Sequence, residues 1–214
     1  MTNIHQDNLD NYLCPTRSID SDAPSIIDFA RATTEGEDGP VPCATALFYA
    51  VRDGIRYNPY KIDLSPERFT ASTVLAKREG WCVEKALVLA AACRVLRIPA
   101  RLRFATVRNH LASERLIELM KTDLFVFHGY NELYLDGKWV KATPTFDREL
   151  CTRFQVRPLE FDGVHDSIFH EYDQKGGRHM EYVHDYGSYA DLPLEKLIAE
   201  FRVYYPHFFE EGGL

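Results

Sequence analysis

The sequence predicts an α+β protein in which N-terminal helices, one of them starting at a cysteine, pack on an antiparallel sheet. Apolar residues recur at three- and four-residue spacing in the first part of the chain, as on one face of a helix. Later segments alternate apolar and polar residues or are rich in aromatic and β-branched residues, which is typical of strands. Because the helical segments mostly precede the strands instead of alternating with them, α+β is favoured over a parallel α/β arrangement.

The composition limits the class of protein. The chain has 214 residues, 45% of them apolar, which is enough for one domain with a sizeable core. Its net charge of −7 argues against nucleic acid or an anionic membrane as the main partner. The longest apolar run, Ala86–Cys93, is far shorter than the roughly 20 residues that a membrane-spanning helix needs. Residues 1–18 lack the pattern of a signal peptide.

Cysteine usage indicates the compartment. The five cysteines are odd in number, widely scattered and form no Cys-x-x-Cys pair: Cys14, Cys43, Cys82, Cys93 and Cys151. Neither a disulfide framework nor a zinc ribbon is therefore expected. We expect a cytoplasmic protein with free thiols, no metal and no cofactor. Residues 1–20 are predicted to form an irregular leader and 21–214 a single domain, with its core at about 42–147 and an aromatic C-terminal extension at 148–214.

Capping residues and apolar spacing predict four helices in the first half of the chain. Ser21 and Pro24 supply an N-cap and an early-helix proline for the first of them. The fourth is alanine-rich and apolar all round, which is typical of a buried helix. The predicted bounds are 21–33, Pro42–Asp53, Thr73–Arg78 and Val83–Leu96.

The second half is predicted to hold a strand and a hairpin. Asp136-Gly137 between two runs of strand-forming residues is a strong hairpin signal. The predicted elements are strand Arg101–Val107, helix Leu111–Lys121, hairpin strands Leu124–Leu135 and Lys138–Phe146, and a last helix over Leu192–Tyr204. The aromatic segment before the last helix is expected to be irregular, to pack over the hairpin and to border the cleft.

Cys82 and His128 are the candidate reactive pair. Cys82 falls at a helix N-terminus, where unpaired N–H groups and the macrodipole favour a thiolate and can receive an oxyanion. His128 lies on the first hairpin strand, where a two-residue turn sets it opposite Thr145. Among residues 143–147, Asp147 is the only carboxylate, and the hydroxyls of Thr143 and Thr145 are alternative partners for the imidazole.

Each candidate also has a purely structural interpretation. A cysteine that opens a helix is often inert, and a histidine on a strand is often a hydrogen-bonded core residue. Asp147 can equally well cap a short helix over Arg148–Phe154. In combination, however, a cysteine at a helix start, then a histidine on one strand and a carboxylate after the next, match the order of a known catalytic constellation.

The chain resembles the transglutaminase-like superfamily of papain-related cysteine enzymes, over roughly residues 42–147. Five segments carry the resemblance: Ile55-Arg56-Tyr57; Gly80-Trp81-Cys82 with Ala86, Leu87 and Leu89; Cys93 to Arg101 with its Ile98-Pro99-Ala100-Arg101 exit; His128 to Tyr134; and Gly137-Lys138-Trp139-Val140. The resemblance implies a transglutaminase-like or papain-like fold, with the nucleophile helix packed on an antiparallel sheet.

The resemblance also implies roles for particular residues. Cys82 would be the nucleophile and His128 the base. The family usually has an Asp where this chain has Thr143, so the orienting role would pass to Asp147, to Thr143 itself or to no residue. Trp81 either walls an acyl channel or belongs to the core, and Tyr130 is a candidate substrate-binding residue.

The implied function is cysteine-dependent acyl transfer or amide hydrolysis through a thioester acyl-enzyme on Cys82, acting on a peptide, amide or thioester. Two alternatives are a non-catalytic binding module on the same fold and a thioester-processing acyltransferase or cyclase. A metal site in the tail is a further alternative, although its histidine spacings of five do not stack on one helix face. Its candidate ligands are His165, His170, Glu171, His179 and His184.

Overall fold

A computed structural model describes residues 9–110, 112–169 and 180–210. The helices in those ranges are α1 (Pro24–Thr33), α2 (Pro40–Gly54), α3 (Ala71–Lys77), α4 (Cys82–Val95), α5 (Glu114–Met120), α6 (Arg148–Phe154) and α7 (Leu194–Tyr204). The strands are β1 (Arg56–Tyr57), β2 (Glu79–Gly80), β3 (Ala100–Asn109), β4 (Leu124–Leu135), β5 (Lys138–Ala142) and β6 (Met180–Tyr189). Short 3₁₀ helices cover Leu9–Tyr12, Pro66–Arg68 and Pro206–Phe209.

The predicted α+β class is confirmed. Four antiparallel strands form one sheet in the order β5-β4-β3-β6, and β1 and β2 form a separate parallel pair. Helix α4 is the centre of the core, because every residue from Cys82 to Arg94 is buried. It contacts α1, α2 and α3 as well as β3 and β4, so the cysteine helix packs on the sheet as expected. Among the described residues, no helix combines the length and apolar character needed to cross a membrane.

The hairpin follows the predicted register, but its second strand is shorter than predicted. Leu135 pairs with Lys138 and Asn131 with Ala142, which is the alignment that a two-residue turn requires. The strand ends at Ala142 instead of Phe146, and Pro144 close behind it has no N–H to donate to a ladder. Thr145 and Asp147 therefore lie in the connection to α6 and not on the strand.

Strand β6 was not predicted, since its segment was expected to be irregular. It pairs with β3 from Leu102↔Tyr189 to Asn109↔Met180, with register shifts at two points. Most of its residues are exposed or half-buried, and Gly187 has a φ of 84°. In an edge strand with two bulges, apolar and polar residues do not alternate regularly. The alternation by which strands are predicted from sequence is therefore missing here.

Both flanking segments pack on the domain. Ile19, in the expected leader, is fully buried. The buried Arg94 guanidinium at the end of α4 donates to the carbonyl oxygens of Cys14 (2.7 Å), Ala100 (2.9 Å) and Ala190 (2.6 Å). This one side chain therefore ties the N-terminal segment and the segment before α7 to the central helix.

Candidate active site

The start of α4 is set by three consecutive residues, Gly80, Trp81 and Cys82. Trp81 is the N-cap, and the Glu84 carboxylate reaches back to accept from its N–H at 3.1 Å. A Cβ on Gly80 would lie 3.0 Å from the Glu84 carboxylate oxygen, so glycine leaves room for this cap. The cap places Cys82 as the first helical residue.

The Cys82 thiol is buried in an apolar cavity, and burial raises its pKa to about 11. The backbone N–H groups of Gly129, Val83 and Cys82 itself act in the opposite direction, because they favour the thiolate. Desolvation is the larger effect. The N–H groups at the helix N-terminus thus favour the thiolate, as the sequence indicated, but they do not outweigh burial.

Gly129 is what allows β4 to come close to this thiol. A Cβ at Gly129 would lie 3.0 Å from the Val83 Cα, which is backbone and cannot move aside. One turn further along α4, the Asn131 side-chain amide donates to the Ala86 carbonyl at 2.9 Å. These two contacts hold β4 against the first turns of the cysteine helix.

His128 follows directly after a β-bulge. Ala105 pairs with His128, but Val107 pairs with Phe125, so β4 holds one more residue than β3 at this point. Phe127 takes up the irregularity with a φ of 56°, a left-handed conformation that is uncommon for a bulky residue. Bulges change the direction of the side chains beside them, and this one immediately precedes the candidate base.

A tyrosine from the end of α7 satisfies the backbone of this bulge. The Tyr205 hydroxyl donates to the Leu124 carbonyl and accepts from the Val126 N–H, both at 2.8 Å. Tyr205 is fully buried and its bond to the Val126 N–H lies in the interior, so the hydroxyl supplies the partner that this buried donor needs.

The imidazole of His128 is enclosed by aromatic rings. Its ring centroid lies 5.4 Å from that of Phe169 and 6.1 Å from that of Tyr130. Nε2 is buried and has no hydrogen-bond partner among the described residues. Burial lowers the pKa of His128 to about 4, since water that would stabilise the imidazolium is excluded.

Cys82 and His128 line the same cavity, which has a volume of about 50 Å³. Its lining also includes Thr145, which the hairpin register had set opposite His128. With the thiol pKa raised and the imidazole pKa lowered, the resting pair is neutral at pH 7. In the described part of the chain His128 Nε2 makes no hydrogen bond to Cys82, and catalytic hydrogen bonds often form only once substrate is bound.

Asp147 lies at a helix cap. Its Oδ1 accepts from the Leu150 N–H of α6 at 2.8 Å, and its Oδ2 accepts from the Tyr57 N–H at 3.1 Å. The structure therefore shows the capping role, and the orienting role of Asp147 stays a prediction. The hydroxyls of Thr143 and Thr145 are buried and have no hydrogen-bond partner among the described residues.

The two predicted substrate-binding residues lie in different places. Trp81 lines the cavity, with its ring 6.1 Å from Phe69 and 5.9 Å from Phe201. Tyr130 stacks beside His128 and meets Tyr182 edge-on at 6.3 Å, but it is not among the described residues that line the cavity.

Several cavity residues were not singled out from the sequence, namely Phe169, Met180, Phe201 and Tyr205. All four lie in the aromatic C-terminal part, which was expected only in general terms to border the cleft. No cluster of three or more metal-ligating side chains occurs in the described ranges. Of the tail histidines, His165 bonds Asp162 at 2.7 Å and His184 lies on β6, while His170, Glu171 and His179 are outside the described residues.

Two solved structures are similar to parts of this chain, and the first of them supports the fold. A crystal structure from Cytophaga hutchinsonii named "Putative Cysteine Protease" superposes with a TM-score of 0.51 at 22% identity, over 65% of this chain and 42% of that one. A structure named "Putative Protease" from Parabacteroides distasonis gives a TM-score of 0.41 at 17% identity, over 63% of this chain and 25% of that one. This chain thus spans less than half the length of either.

A search of curated proteins finds no match. A family model described as the transglutaminase-like superfamily matches residues 27–144, which is more than half of the chain and includes Cys82, His128 and Thr143. On this match, with the helix-start cysteine and the strand histidine sharing one cavity, the chain belongs to the transglutaminase-like superfamily.

Proposed function

We propose that the protein catalyses cysteine-dependent acyl transfer or amide hydrolysis through a thioester acyl-enzyme on Cys82, with His128 as the base. One observation carries the proposal: a cysteine at a helix N-terminus and a histidine on the facing strand line a single buried cavity. The superfamily and the cysteine-protease name of the neighbour support a protease-like role in general terms.

The first half-reaction follows from the neutral resting pair. The His128 imidazole takes the Cys82 proton as the sulfur attacks the carbonyl carbon of an amide or thioester. The bond from that carbon to the leaving nitrogen or sulfur then breaks, and the leaving group takes the proton from the imidazolium. The acyl group is left on Cys82 as a thioester.

The second half-reaction frees the enzyme. His128 removes a proton from water or from an amine, the nucleophile attacks the thioester carbonyl, and the Cys82 sulfur leaves and regains a proton. Water gives hydrolysis and an amine gives transfer. In both halves we expect the N–H groups at the start of α4 to stabilise the oxyanion, because they have no partner within the helix.

The alternative is a non-catalytic binding module on the same fold. Two features favour this alternative. Position 143 holds a threonine where the family usually has an aspartate, and His128 Nε2 has no hydrogen-bond partner among the described residues. Cysteine and histidine can nevertheless act without a carboxylate, at lower efficiency, so we retain the enzymatic proposal. A reducing cytoplasm is the proposed compartment, on the basis of the odd number and wide scatter of the cysteines.

Intact-mass analysis tests the proposal directly. The protein is incubated with peptide, glutamine-containing and thioester donors, and the acyl adduct is sought on Cys82. We expect an adduct that is lost in Cys82→Ala and slowed in His128→Asn, while Cys151→Ala behaves like the wild type. If no donor gives an adduct, or if Cys82→Ala is labelled as fast as the wild type, the binding module replaces the enzyme.

A further inference from the structure

We infer that Cys82 takes apolar acyl groups, aliphatic or aromatic, and rejects acyl groups that carry a carboxylate. This inference rests on the proposed function, because it assigns a substrate class to the same thiol.

The lining of the cavity carries the inference. No Asp, Glu, Lys or Arg is among the described residues that line it, and large apolar side chains predominate: Trp81, Met120, Phe125, Phe169, Met180 and Phe201. A carboxylate brought there would lose its water without gaining a cation, and burying an unpaired charge is strongly unfavourable. Cys82 and His128 are both kept neutral by the same burial.

The polar groups of the cavity offer no cation to a carboxylate. The Tyr205 hydroxyl already bonds two backbone groups, the Leu124 carbonyl and the Val126 N–H. His128 is needed for the proton. The other polar side chains of the lining are uncharged, namely Tyr57, Trp81, Asn109 and Thr145. The Trp81 indole N–H and the Thr145 hydroxyl have no partner among the described residues and can bind a carbonyl oxygen, but an uncharged donor does not neutralise a carboxylate.

The charge-free lining belongs to the cavity beside the thiol. A second cavity of about 100 Å³ shares Tyr57, Pro59, Asn109, Leu116 and Phe146 with the first, and its own lining includes Arg153. The rings of Tyr57 and Phe146, which meet edge-on at 5.0 Å, line both cavities. The exclusion of carboxylates is therefore assigned to the first cavity, and the donors that test it must be short enough to end there.

A matched pair of donors tests the inference. Butanoyl and succinyl N-acetylcysteamine thioesters have the same chain length, but succinyl ends in a carboxylate. Acylation of Cys82, followed by intact mass with Cys82→Ala as the background, should be at least about tenfold faster with butanoyl. Equal or faster acylation by the succinyl donor overturns the inference while leaving the proposed function in place.

A second pair of reagents does not depend on catalysis of acyl transfer. Propyl and 2-carboxyethyl methanethiosulfonates form a mixed disulfide with Cys82 and release methanesulfinate. The same preference, at least about tenfold, is expected here. If it appears but no thioester acylates the protein, the proposed function fails and the apolar selectivity of the cavity stands; if it is absent, the inference is wrong.

A variant of the lining locates the selectivity. Phe201→Leu removes part of an aromatic wall of the cavity and should raise the rate with octanoyl relative to hexanoyl several-fold. Val203→Ala on the same helix is the control, because Val203 is 73% exposed. An unchanged chain-length preference in a folded Phe201→Leu variant would place the acyl group elsewhere.

Discussion

Asp147 is the residue whose two possible roles can be separated most cleanly. As an N-cap, Asn serves as well as Asp, whereas Ala does not. As an orienting carboxylate, both replacements remove the charge. Asp147→Asn should therefore leave stability and Cys82 acylation close to the wild type if the cap seen in the structure is its main role, and Asp147→Ala should lower stability.

The size of the Ala effect follows from the two hydrogen bonds. Loss of the bond from the Leu150 N–H at 2.8 Å costs about 0.5–2 kcal/mol. The Tyr57 N–H, which donates at 3.1 Å, loses its acceptor at a cost of about 1 kcal/mol. The sum is about 1.5–3 kcal/mol, or roughly 3–12 °C in Tm for a domain of this size.

Urea unfolding and the rate of Cys82 acylation are measured on the wild type and both variants. We expect Asp147→Asn to unfold within about 0.5 kcal/mol of the wild type and to acylate at a similar rate. A hundredfold or greater loss of acylation rate in a fully stable Asp147→Asn would refute this reasoning, and would make Asp147 the orienting carboxylate.

Three further outcomes are expected. Because burial raises the pKa of Cys82 to about 11, its alkylation by iodoacetamide should climb about tenfold per pH unit from pH 7 to 10; a plateau between pH 5 and 8 would instead reveal a thiolate–imidazolium pair. Thr143→Asp should raise the pKa of His128 from about 4, as followed by NMR titration, because a carboxylate stabilises the imidazolium; Thr143→Asn should not, and equal pKa values in both variants would show that position 143 does not reach the ring. Gly129→Ala places a Cβ 3.0 Å from the backbone of α4, so it should lower the free energy of unfolding in urea by about 1–3 kcal/mol and slow the acylation of Cys82. Gly54→Ala is the control, because Gly54 has open space around it. Equal stability and equal acylation rates in the two variants would contradict the close approach of β4 to α4.

The central helix and the hairpin could be predicted because their signals are local. Gly80 and Trp81 fix the start of α4 within a few residues of sequence, and Asp136-Gly137 fixes the alignment of β4 with β5. These two signals were enough to place Cys82 and His128 in the elements that meet at the site. Strand β6 could not be predicted in the same way, since it pairs with residues some 80 positions earlier and lacks regular alternation.

The charge state of the pair could not be predicted from local sequence either. A helix N-terminus is a local property and favours a thiolate at Cys82. Burial is a tertiary property: the cavity closes only when Phe169 and Phe201 join the segments that carry the reactive residues. The bulge at Phe127 could not be predicted either, because one extra residue in a strand leaves no recognisable pattern in the sequence.

The hydroxyl of Tyr205 makes the candidate site depend on a distant part of the chain. The Val126 N–H and the Leu124 carbonyl, shortly before His128, find their partner 79 and 81 residues later in the sequence. Without the turn that carries Tyr205, both backbone groups would lose this partner. The strand that positions the histidine is therefore supported from the C-terminal helix, whereas the start of the cysteine helix is held by its own cap.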